Sequence, residues 1–176
     1  GFVVEQNGSI FRVIADTYQQ NYNQLMQCGL YDKLVNNNLL VAHKEVEDFT
    51  GGKNFKVIKP TQIPFISYPY EWSFHQLKQA ALLTLNIQIE ALSHQMTLKD
   101  ASAFNIQFVG KNPVFIDTTS FEILEPNKPW VAYGQFCRHF LAPLALMSYT
   151  DLRLSSLATN FIDGIPLDLC TKLLPT

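Results

Sequence analysis

From Ser73 to Leu92 the chain places Leu77, Ala80, Ala81, Thr84, Leu85, Gln88 and Leu92 on one face of a helix, with Leu82, Leu83, Ile87 and Ile89 on the others. A helix that is apolar on nearly all sides must be wrapped by other elements. It is therefore expected to be central and buried. Ser73 with Gln76 three residues on fits a capping box and sets its start. At 176 residues the chain has enough material for one ordinary domain or two small lobes around it.

The residues before this helix read mostly as strands. Phe2–Ile14 alternate around Asn7-Gly8, a strong hairpin dipeptide. Helical spacing follows from Thr17, with a stop at Cys28-Gly29, and a short second helix is expected over Leu30–Val35. Val41–Val46 and Phe55–Ile58 read as strands around a Gly51-Gly52 turn, and Phe65–Tyr68 as a further strand ended by Pro69. After the long helix come a strand–turn–strand unit with the turn Gly110-Lys111-Asn112-Pro113, a helix Trp130–Met147 kinked by Pro143, and helices over Leu152–Phe161 and Leu167–Leu174. The composition shift near Tyr68–Ser73 predicts two parts, residues 1–68 and residues 69–176.

Hydrophobic residues make up 47% of the chain and charged residues 16%. So little charge raises the odds of an uncovered apolar face, as in a piece of a larger protein. There are 13 basic and 15 acidic residues without a Lys/Arg cluster, which argues against nucleic-acid binding. Cys28, Cys137 and Cys170 form no zinc or disulfide pattern. His43, His75, His94 and His139 share no ligand spacing, and no Gly-x-Ser-x-Gly elbow surrounds Ser67, Ser73 or Ser148. No signal peptide is visible and no stretch is long and apolar enough to cross a bilayer. The expectation is a soluble cytoplasmic domain without nucleic-acid or membrane partners.

The stretch Leu98–Glu122 carries the chemistry. Asp100 is followed five residues later by Asn105, then by an apolar strand, a tight turn, a second strand and Asp117. Each residue has a plain reading: Asp100 as a turn cap, Asn105 closing a loop, Asp117 capping Thr118–Phe121. Together, after a buried helix, they resemble the catalytic loop of the protein-kinase-like superfamily, closer to its aminoglycoside phosphotransferase branch. The resemblance implies an α+β, two-lobed protein-kinase-like fold with a strand-rich amino-terminal lobe and a helical lobe. It implies that Asp100 orients an attacking hydroxyl while Asn105 and Asp117 hold magnesium on ATP or another nucleotide, their side chains converging on one cleft. By position Arg12 would replace the phosphate-anchoring lysine, or else be a strand arginine on a solvated face. Tyr68 and Tyr70 would line an adenine pocket, or else pack as core. Departures are clear: Leu98 and Lys99 stand before Asp100, Thr119 stands where a glycine is usual, and there is no glycine-rich loop or lysine–glutamate pair.

A second resemblance rests on Ile63-Pro64-Phe65-Ile66-Ser67-Tyr68-Pro69-Tyr70-Glu71-Trp72, Leu98–Phe108, Phe115-Ile116-Asp117 and Pro129–Cys137. These runs look like the amino-terminal region of bacterial nodulation-related, SAM-dependent methyltransferase-type proteins. The implied partner is a downstream methyltransferase domain, with a small-molecule substrate. No Gly-x-Gly with a following acidic residue gives a SAM site within the chain. Two functions follow as expectations: a kinase-like domain binding a nucleotide or phospholigand, or a noncatalytic scaffold or interaction domain that positions substrate for the methyltransferase.

Overall fold

The computed structural model describes residues 1–47 and 56–175. β1 (Phe2–Gln6) and β2 (Ser9–Ile14) pair antiparallel from Phe2↔Val13 to Gln6↔Ser9. Asn7 and Gly8 close the hairpin at φ of 52° and 70°, the left-handed pair that a two-residue turn between twisted strands requires. A 3-10 turn at Asp16–Tyr18 leads into α1 (Gln19–Gln27), followed by α2 (Leu30–Asn36). β3 (His43–Val46) and β4 (Lys56–Pro60) complete a four-stranded antiparallel sheet in the order β1-β2-β4-β3. The Gly51-Gly52 turn and the Phe55 strand start lie outside the described residues, as does Thr176.

β3 begins two residues later than expected because Leu40 and Val41 are taken elsewhere. The Val41 amide donates to the Phe115 carbonyl at 2.8 Å, and the Phe115 amide to Leu39 at 2.9 Å. Phe65–Tyr68 is not a strand. Its hydrogen-bond partner is a side chain, the Gln107 carboxamide, which accepts from the Ser67 amide and donates to the Ser67 carbonyl at 3.0 Å each. Prolines at 64 and 69 remove donors on either side.

α3 (Phe74–Ser93) starts at the expected capping box, the Ser73 amide donating to Gln76 at 3.0 Å and the Gln76 amide to the Ser73 hydroxyl at 3.3 Å. It buries Leu77, Ala80, Leu83, Ile87 and Ala91 but leaves Leu82, Ile89 and Leu92 exposed. The expected all-round burial is thus corrected: α2, β-strands and the later helices cover only part of its circumference. Beyond it, β5 (Met96–Leu98) pairs with β8 (Phe121–Ile123), and β6 (Ile106–Val109) with β7 (Asn112–Phe115). The hairpin turn is Gly110-Lys111 alone, since Asn112 and Pro113 already pair with Val109 and Phe108.

The long terminal helix is irregular before Pro143, not at it. α4 (Tyr133–Phe136) widens into a π segment, Cys137–Leu141, before α5 (Ala142–Tyr149). The Arg138 carbonyl accepts the Ile165 amide at 3.0 Å. The expected Leu152–Phe161 helix is a 3-10 stretch, Leu152–Ser156, joined to α6 (Leu157–Asn160), and α7 (Leu167–Leu173) follows. The largest core takes Leu25, Leu30, Leu34 and Leu40 from one side of residue 68 and α3, Phe115, Phe121 and Phe140 from the other. Ile14, Tyr18, Tyr22 and Ile58 form a second core between sheet and α1, and Ala142, Leu146, Ile165 and Cys170 a third.

Two consequences can be measured. Gly164 sits at φ +90°, and an added Cβ would lie 2.6 Å from Arg138 Cβ and 2.9 Å from its carbonyl carbon. Gly164→Ala should therefore cost about 1–3 kcal/mol in urea unfolding; an unchanged midpoint would mean the approach is looser than described. The second concerns His43. Tyr22 has one hydroxyl proton and gives it to Glu45 Oε1 at 2.9 Å, so the 2.9 Å contact with His43 Nε2 requires the ring to donate there. Nδ1 is then unprotonated, buried and without a partner among the described residues. Burial pulls the His43 pKa down to about 4. The folded value lies below the unfolded one, about 6.5, so stability is full above pH 6.5 and falls as the pH drops toward 4. His139 is lowered by burial too. The melting temperature should fall from pH 6.5 to 5, and His43→Gln should flatten that slope; an equal slope in both proteins would assign it to His139.

Candidate functional site

Asp117 follows β7 and caps the 3-10 turn Thr118–Ser120. Its Oδ1 accepts from the Thr119 amide and the Thr119 hydroxyl, each at 2.7 Å. This is the helix-cap role that a short acidic side chain fills well. The same oxygen also meets Arg12 Nη1 at 2.8 Å, and that nitrogen donates to Thr119 Oγ1 at 2.7 Å. Arg12 stands on β2 opposite Val3 on β1 and Ile58 on β4, so its backbone is held from both sides. Both side chains are mostly shielded, 22% and 14% exposed. The structure brings together two of the residues singled out in the sequence, Arg12 and Asp117.

Ser120, 1% exposed, ties the others to this point. Its amide donates to the Asp117 carbonyl at 3.2 Å and its carbonyl accepts the Lys99 amide at 2.8 Å. Its hydroxyl accepts from Asn105 Nδ2 at 3.2 Å, which leaves the Asn105 amide oxygen as an acceptor. Asp100, next to Lys99, accepts from the Ser102 amide at 3.0 Å through Oδ1. Its charge also acts on the buried His139, raising a pKa that burial lowers more strongly. No hydrogen bond or ion pair joins Asp100, Asn105 and Asp117 directly among the described residues; Ser120 bonds to Asn105 and Asp117, and on the Asp100 side only to the neighbouring Lys99 amide.

Tyr68 and Tyr70 lie on the link and on the turn Pro69–Glu71. Their rings stack at 5.4 Å and 9° and are partly exposed. No polar contact links them to Arg12 or Asp117 among the described residues. They sit instead beside Trp72, whose indole donates to Ser67 at 2.9 Å and packs edge-on against Phe108.

Sequence reasoning missed three neighbours. Tyr18 donates to the Phe121 carbonyl at 2.6 Å, and burial first, then the Asp117 charge, pushes its phenol pKa up. Lys99 Nζ stands 4.4 Å over the Tyr18 ring. Ser120 is the hub. Lys99 had a signal in its place before Asp100; a lone helix tyrosine and a buried serine had none. Asp100, Asn105 and Asp117 carry the hard oxygens magnesium takes, but each is bonded to a different partner. As it stands, however, a guanidinium neutralises Asp117, and a divalent ion there would have to displace Arg12. No group of three His, Cys, Asp or Glu side chains able to share a metal occurs among the described residues.

The pair's energetics are open to a double-mutant cycle. Arg12→Met or Asp117→Asn should each lower stability by about 1–3 kcal/mol, because each leaves a shielded charged partner unsatisfied. The double variant should cost less than their sum. Additive losses would mean the two groups do not interact in solution.

No protein-family model matches the chain. Over 135 residues it is 37% identical to the nodulation protein NoeA of Rhizobium meliloti (strain 1021), a stretch covering 77% of the chain and 28% of that protein. The chain thus spans less than a third of the relative's length and is similar to one segment of a larger bacterial nodulation protein.

Proposed function

We propose that the chain is a protein-kinase-like domain of a longer nodulation-type protein, and that the junction around Arg12 and Asp117 binds a nucleotide or another phosphorylated ligand. One observation carries the reading. A cation on the second strand of the amino-terminal sheet meets the aspartate that follows the Asn105 hairpin, at 2.8 Å. Those are the positions that the kinase-like resemblance gives to phosphate and metal. The element order supports it: a hairpin, helices, two more strands in the order β1-β2-β4-β3, a link, a long helix, then the paired β6 and β7. In this reading Asp100 orients the hydroxyl of a small-molecule acceptor, and Asn105 and Asp117 are the magnesium ligands. Bound magnesium would neutralise phosphate charge.

The second reading is a noncatalytic scaffold that presents substrate to a downstream SAM-dependent methyltransferase domain. It is favoured by the same ion pair, because Arg12 already takes the charge of Asp117. The relative's greater length leaves room for such a domain.

A ligand that binds only the folded state adds RT ln(1 + [L]/Kd), roughly 2.7 kcal/mol at 100 times Kd. For a chain of this size that is about 5–10 °C in melting temperature. ATP or ADP at millimolar concentration should produce such a shift, and Asp117→Ala should change it. No shift with any nucleotide or phosphorylated sugar would leave the scaffold.

A further inference from the structure

We propose that the Arg12 guanidinium is the resident cation of this site, so that it takes a phosphate-bearing ligand without a divalent metal. The inference rests on the phospholigand part of the proposed function and replaces its magnesium: Asp117 is the anchor of Arg12 and not a metal ligand. A guanidinium carries five N–H donors. Only Nη1 is engaged among the described residues, with Thr119 Oγ1 at 2.7 Å and Asp117 Oδ1 at 2.8 Å. The Nε and Nη2 donors form the edge that pairs with two phosphate oxygens in parallel, and no described residue accepts from them. The side chain as a whole is 22% exposed.

Asp117 and Thr119 serve here to hold the arginine in place. The Asp117 oxygen that meets Arg12 is itself fixed by the Thr119 amide and hydroxyl, and β2 is paired on both edges. The guanidinium is therefore preorganised, which lowers the entropy lost when a ligand binds. A second cation stands near: Lys99 lies over Tyr18, the tyrosine whose phenol also senses Arg12 and Asp117. Lys99 has no carboxylate partner among the described residues. Glu122 acts on the same phenol, so the two cations are balanced by two carboxylates, and it is the unengaged edge of the guanidinium that suits an anion. A divalent ion would meet the guanidinium as a like charge.

The test is equilibrium binding of two probes, ADP and inorganic pyrophosphate, to the chain in EDTA and in excess magnesium. Expected are dissociation constants within about twofold in the two conditions, and a loss of tenfold or more in EDTA on Arg12→Met. Because that variant strands Asp117, R12M/D117N is measured as well, with its fold checked by circular dichroism; it too should lose metal-free binding. Lys99→Ala should weaken binding less than Arg12→Met. Binding that appears only with magnesium overturns the inference and leaves the phospholigand reading standing. Retained metal-free binding in both Arg12 variants overturns the role of Arg12. Binding of neither probe in either condition overturns both. ADP without pyrophosphate would support a nucleotide ligand, and equal binding a phosphate group alone.

Discussion

Two side chains, Tyr18 at the start of α1 and Asn21 within it, complete a strand. β8 has only three residues and one strand partner, β5. On its other side the Tyr18 hydroxyl donates to Phe121 at 2.6 Å and the Asn21 carboxamide accepts the Ile123 amide at 2.9 Å. Buried backbone groups left unpaired are costly, and here a helix supplies what a third strand would. Ser120, Asp117 and the capped turn lead directly into β8, so the placement of the candidate site depends on α1 being docked. The largest core likewise takes residues from both sides of residue 68.

Charge is used unevenly. Lys128–Glu125 and Arg153–Asp151 lie in solvent, where ion pairs contribute little. Arg153 holds the Asp151 carboxyl down at about 2, yet that exposed pair fastens only neighbours in sequence. Arg12–Asp117 differs in joining positions 105 residues apart, both largely screened from water. The Lys56–Glu45 pair completes a polar group with Tyr22 and His43 under the sheet. In a chain with 16% charged residues, Arg12–Asp117 is, among the described residues, the ion pair shielded on both sides, whereas Glu45 of the other cluster is exposed.

Local signals in the sequence were read well. The Asn7-Gly8 hairpin, the Ser73 cap and the β6–β7 unit form within a few residues of one another, and their chemistry is stated by adjacent side chains. Phe65–Tyr68 misled because its apolar residues look like a strand, while its pairing partner, Gln107, lies forty residues away. α3 misled in another way: composition records that Leu82 and Ile89 are apolar but not which neighbours are available to cover them. Asp100, Asn105 and Asp117 stand out in the sequence by their order alone, which says nothing of what surrounds them. That Arg12 reaches Asp117 depends on how β2 comes to stand beside the turn before β8, where α1 packs, and no local pattern encodes that.

The π segment at Cys137–Leu141 amounts to one residue more than an α-helix needs, and each residue turns a helix by about 100°. α4 and α5 are therefore out of phase along what is nearly one rod. Phe136 and Phe140 face the main core, as does Met147 of α5, while Ala142 and Leu146 face the small core with Ile165 and Cys170. A single helix thus serves two separate packing directions. Deleting one residue within 137–141 would restore a regular helix and withdraw the Arg138 carbonyl from Ile165. It would rotate α5 away from α7 and release the carboxy-terminal helices as a unit. The extra residue thus sets the direction in which the last quarter of the chain is attached.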